Sequence, residues 1–207
     1  MIKAKGPVWH TKDKKLNHIP EGLRGLDKQA TWSKSFANGW VYGHGTFSIV
    51  SHNIPILGCF MWMTNSAHEA KRMYIEAQYY KNHLKYLVMD SKADDQKLFH
   101  NLKKDYDIRL VTACRKNMNK TPGRKKMIAA MRTKRCKKYL KERSQTVEPM
   151  QGIVKDIFDL DRCWMRGDDN NRWLFAAMGL AIQMHQRRAL KHKKSTWTIK
   201  SEVLGEP

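Results

Sequence analysis

The chain has 207 residues, 41% hydrophobic and 10% aromatic, which is enough apolar material for one sizeable core and too much for a disordered tail. Forty Lys and Arg against nineteen Asp and Glu leave a formal charge of +21, and a surplus of that size calls for a polyanionic partner, usually nucleic acid. The longest apolar runs, 54–63 and 173–182, are too short to cross a bilayer, the first residues do not read as a secretory leader, and Cys59, Cys114, Cys136 and Cys163 form no CxxC pair, which argues against a zinc ribbon or a disulfide framework and fits a reducing cytoplasm.

In chain order, Trp40 to Val50 is rich in β-branched and aromatic residues and follows the turn pair Asn38-Gly39, so it reads as a strand. A turn at His52–Pro55 leads into a second strand over Ile56–Thr64, completing a hairpin. Asn65 or Ser66 then caps a helix running to about His83, with Met73, Ala77 and Tyr80 at helical spacing. Leu84–Asp90 reads as a short buried strand, Asp94–Lys104 as a helix with Asp94 and Asp95 in capping positions, and Ile108–Ala113 as a further strand. Strands joined by a crossover helix are parallel. From Arg115 to Arg143 there are 13 Lys or Arg and a single acid, Glu142. Few large apolar residues and the Thr121-Pro122-Gly123 break make this segment a solvated basic insertion, part loop and part helix, within a single domain spanning 1–207. A helix from Thr146 to about Phe158 follows, then a long one from about Asn170 to Leu190, apolar most of the way round and expected to pack deep.

Two positions carry chemistry. Asp90 closes an apolar strand, and in open α/β sheets ligands gather at the carboxyl ends of strands, although a turn-capping Asp has the same pattern. Glu148 falls in the first turn of the helix begun by Thr146, with Lys155 two turns further on the same face. That spacing aligns an anion able to hold a metal with a cation able to hold a phosphate; a plain surface pair reads the same way. Of the nine histidines, His10, His18, His44 and His52 fall into no metal spacing with one another or with cysteine and read as surface or hydrogen-bonded core residues.

Several motifs together resemble the catalytic domain of bacterial insertion-sequence transposases of the DDE type, the insertion-sequence-4-type group. They are Lys3-Ala-Lys-Gly-Pro-Val-Trp-His10, Asp27-Lys-Gln-Ala-Thr-Trp32, Gly39-Trp-Val-Tyr-Gly43, Asp90 with Ala93-Asp94-Asp95, the stretch from Arg143 to Lys155 with its Glu-x6-Lys, and Arg166-Gly-Asp-Asp-Asn-Asn-Arg-Trp173. The resemblance implies an α/β, ribonuclease H-like mixed sheet flanked by helices, and DNA transposition by metal-dependent DNA cleavage and strand transfer. It implies Asp90 and Glu148 as catalytic metal ligands for Mg²⁺ or Mn²⁺. Lys155, Arg143, Arg115, Lys116, Arg124, Lys125 and Lys126 become the DNA-binding residues, and the implied partners are transposon ends, target DNA and a full-length transposase. A bacterial cytoplasmic, nucleoid-associated location follows, with no membrane. Arg143 stands five residues before Glu148, where the family pattern has four. The family's first catalytic Asp lies on a central strand ahead of the Ala-Lys-Gly-Pro segment, and Met1-Ile2 stand there instead; Asp13 and Asp27 are the nearby acids. The expectation is an incomplete or inactive copy with two half-sheets and weak metal binding. The alternative is a non-catalytic basic DNA-binding protein or regulator derived from a transposase.

Overall fold

The computed structural model describes residues 1–8, 25–35, 39–64, 69–115 and 121–205. The chain is mixed α/β and divides into two compact units, residues 1–67 with 146–207, and residues 68–145.

The first unit is built on β1 (Ile2–Lys3), β2 (Thr31–Ser35), β3 (Gly39–Val50) and β4 (Leu57–Thr64), all antiparallel. The predicted hairpin is β3–β4, paired from His44 with Thr64 to Val50 with Leu57. The first half of β3 is flanked on both sides, since Gly43 pairs with Lys3 and with Thr31. A Cβ at Gly43 would lie 2.0 Å from the Ile2 carbonyl oxygen, so the approach of β1 requires glycine there. Neither β1 nor β2 was legible in the sequence, being short and broken by polar residues.

Among the described residues, this unit also contains α5 (Val147–Ile157), α6 (Asp168–Lys191) and α7 (Ile199–Leu204). Phe175, Met178 and Ile182 of α6 join Leu57 and Phe60 of β4 and Met150 and Val154 of α5 in one core. Gly179 sits where α6 crosses β4, 3.0 Å from the Phe60 side chain to an added Cβ. Gln186 accepts from the Leu57 amide at 2.9 Å and donates to the Pro55 carbonyl at 3.1 Å, so the helix satisfies backbone groups at the start of β4. The expectation that α6 is buried most of the way round is corrected: Trp173, Leu180 and Met184 are 79%, 57% and 65% exposed.

The second unit contains α1 (Glu69–Tyr80), the parallel pair β5 (Tyr86–Val88) and β6 (Arg109–Val111), α2 (Gln96–Tyr106) between them, then α3 (Pro122–Met131) and α4 (Lys134–Arg143). The predicted start of α1 at Asn65 or Ser66 lies outside the described residues. Thr121-Pro122-Gly123, read as a break, instead opens α3: the Thr121 hydroxyl accepts from the Arg124 amide and Pro122 occupies the first turn, where a missing amide hydrogen is tolerated. Likewise Thr133 caps α4 by accepting from the Cys136 amide. Met127, Met131 and Cys136 are buried, so the basic segment contributes apolar surface to the interior rather than only a solvated loop. All seven tryptophans of the chain fall outside residues 68–145.

Candidate functional site

Asp90 stands two residues beyond β5 and is half-buried. Its carboxylate accepts from the Lys92 amide at 2.8 Å, capping a single 3₁₀ turn over Ser91–Ala93, while its carbonyl accepts from the Thr112 hydroxyl at 2.5 Å. The carboxyl ends of β5 and β6 are therefore joined at this residue. Asp95 is the N-cap of α2, accepting from Lys97 and Leu98 amides.

Asp94 is not a helix N-cap. It is buried, and Arg124 grips it with both terminal guanidinium nitrogens, Nη2 at 2.5 Å from Oδ2, while the Arg115 amide donates to Oδ2 at 2.6 Å. Burial alone raises a carboxyl, but the Arg124 and Arg115 donors outweigh it and hold Asp94 below the usual carboxylate range. Arg124 is only 2% exposed, so the guanidinium assigned to DNA is committed to the interior. Arg115 is exposed, and its Nε donates to the Ser91 carbonyl at 3.1 Å. The structure thus brings Arg115 and Arg124 to the loop that follows Asp90.

Among residues 121–143 the outward cations are Lys125, Lys126, Arg132, Lys134, Arg135, Lys137, Lys138 and Lys141, all exposed; Arg143 is half-buried and Lys116 lies outside the described residues. In the other unit, Glu148 is exposed in the first turn of α5, with Thr146 at the N-cap as predicted, and Lys155 is half-buried two turns on. Among the described residues no group of three or more His, Cys, Asp or Glu is placed to hold a metal ion. One Asp90 oxygen is committed to the cap, which leaves the other for a ligand.

A polar network that sequence reasoning missed lies in the first unit. Asp27 and His44 are both buried, with His44 Nε2 2.9 Å from Asp27 Oδ2. The Trp62 indole N–H donates to His44 Nδ1 at 2.9 Å. An indole only donates, so Nδ1 accepts and Nε2 carries the hydrogen that bonds Asp27. Asp27 also accepts from the Gly167 amide at 3.1 Å and the Gln29 amide at 3.2 Å, and its carbonyl accepts from the Tyr42 hydroxyl. Gln29 in turn accepts from the Asp168 amide at 2.7 Å. Burial raises the Asp27 carboxyl, yet the His44, Gly167 and Gln29 donors hold it below the usual range, whereas burial lifts Asp168 above it. The network ties the neighbouring Asp27–Trp32 and Gly39–Gly43 motifs, through Tyr42 and the adjoining His44, to the distant Arg166–Trp173 motif. The signal was a histidine within the largely apolar β3, but spacing gave no hint that it meets Asp27. His10, His18 and Asp13 lie outside the described residues.

No helix among the described residues is long and apolar enough to cross a membrane. No family model, curated protein or solved structure matches the chain.

Proposed function

We propose that the chain is a DNA-binding domain of DDE transposase type, with a ribonuclease H-like organisation, acting in DNA transposition. One observation carries the reading: eight outward cations on α3, α4 and the turn between them, in a stretch with a single acid. Mixed-sign faces are the norm for solvated helices, and a face this one-sided suits a phosphate backbone. The antiparallel hairpin β3–β4, the parallel β5–α2–β6 crossover with Asp90 at its ligand-bearing end, and Glu148 with Lys155 on α5 support the family resemblance. Arg115, Lys125 and Lys126 are exposed and contribute to the binding face; Arg124 organises it from within.

Fluorescence anisotropy with a labelled duplex, repeated over a salt series, tests the proposal. Log affinity should fall linearly with log salt, and Lys134→Ala, Lys137→Ala and Lys141→Ala together should flatten the slope by about 0.9 for each phosphate no longer neutralised. An unchanged slope removes α4 from the interface. Scoring the same reactions for nicking with Mg²⁺ or Mn²⁺ separates a strand transferase from a regulator that only binds.

A further inference from the structure

A cavity of about 580 Å³ opens within the second unit, among α2, β5, β6, α3 and α4. Its interior is apolar, supplied by Phe99, Leu110, Ala130, Met131 and Cys136. Around this lining stand Lys103, Lys104, Lys126, Arg109 and Arg135, and among the described residues no Asp or Glu lines it. Lys103 is neutralised by Asp107. Arg109 and Arg135 have a different partner: both guanidiniums lie 5.8 Å from the centre of the Tyr86 ring. Both also donate to its hydroxyl, at 3.3 and 3.1 Å. Tyr86 lines the cavity as well, its ring packed against Tyr139.

Two guanidiniums converge on one phenolic oxygen, and the Arg135 and Arg109 donors hold the Tyr86 hydroxyl below its usual range. Both guanidiniums are exposed, and each retains donors that one phenol oxygen cannot satisfy and a bound anion can. A simple anion would use the cations and leave the apolar interior empty; a neutral apolar molecule would do the reverse. A planar ring bearing a phosphate uses both. The volume lies within the usual range for small-ligand pockets. We infer that this cavity binds a nucleoside monophosphate unit, its base against Tyr86 and Phe99 and its phosphate on Arg109 and Arg135. Base stacking on aromatic and guanidinium planes tolerates any base, so selectivity for the phosphate should exceed selectivity for the base.

The unit can come from a free nucleotide or from the end of a single strand. The inference does not depend on duplex binding by α4, so the two can fail separately. Calorimetric titration of the full chain with deoxyadenosine 5′-monophosphate should give one saturable site, with deoxyadenosine alone and inorganic phosphate alone each at least tenfold weaker. Arg135→Ala should weaken the mononucleotide at least tenfold. Ala130→Trp, which fills the cavity from α3, should abolish binding; unchanged far-UV ellipticity confirms that the variant is folded. Competition by a 5′-phosphorylated single-stranded dodecamer assigns the site to a strand end, and its failure assigns it to a free nucleotide. A mononucleotide no tighter than inorganic phosphate, or undiminished binding to folded Ala130→Trp, overturns the inference.

Discussion

Asp94 and Arg124 meet in the interior of the second unit although 30 residues separate them. A two-pronged guanidinium–carboxylate pair with Asp94 6% and Arg124 2% exposed is costly to break from one side, because the survivor keeps a desolvated charge. Arg124→Ala should therefore lower stability in urea unfolding by about 3–5 kcal/mol, and Asp94→Leu combined with Arg124→Met should recover much of the loss. Recovery absent from the double variant would mean that the pair organises the Asp90 loop in a way apolar residues cannot. In the sequence, Asp94 looked like a capping residue and Arg124 like one more cation in a basic run. Local pattern cannot distinguish these roles, since the partner comes from another helix. Asp27 poses the same problem at a different site. Its depressed carboxyl gives a folded state that binds fewer protons than the unfolded chain, so its contribution is complete above the unfolded value near 4 and disappears as pH falls through the folded value. Asp168, shifted the other way, contributes with the opposite sign. Asp27→Asn should lower stability at pH 7 and flatten the acid limb of the stability–pH curve. An acid limb as steep as that of the parent would assign the dependence to other carboxylates.

Helix α6 was the easiest element to find, and the face it buries was the hardest to read. Apolar residues surround it, so periodicity gave no preferred side. Packing on β4 decides the matter: Phe175, Met178 and Ile182 face the sheet and Gly179 permits the close approach at Phe60. Phe175→Ala should cost about 3–5 kcal/mol, whereas Trp173→Ala should fall within about 0.5 kcal/mol of the parent, despite the larger side chain. Equal losses at the two positions would contradict the exposure of Trp173. The basic helices present the converse case. Their cations were legible, but their buried residues were too sparse to announce a core; Met127, Met131 and Cys136 suffice because β5, β6 and α2 complete it. The hairpin and the crossover were legible because each combines a strong periodic or capping signal with pairing between segments close in the chain, and α5 because Thr146, Glu148 and Pro149 mark a helix start.

At the scale of the molecule, charge and interior are apportioned differently. The first unit has its principal core on α5, α6 and β4, together with the Asp27 network; the second holds the basic helices and the cationic cavity. The expected chemistry was legible as residue types, Asp90, Glu148 and the lysines. The cavity was not, because its cations and apolar lining come from five elements whose packing no single segment encodes. The tryptophans are divided between the units more sharply still. Excitation at 295 nm selects indole, so emission reports the first unit alone, with Trp62 tied to His44 and stacked under Arg172 at 4.5 Å. The second unit is dark at that wavelength, visible only through tyrosines such as Tyr86 and Tyr139. The chain thus carries its own label on one unit, which can be followed selectively as it melts, acidifies or rearranges, with no dye attached.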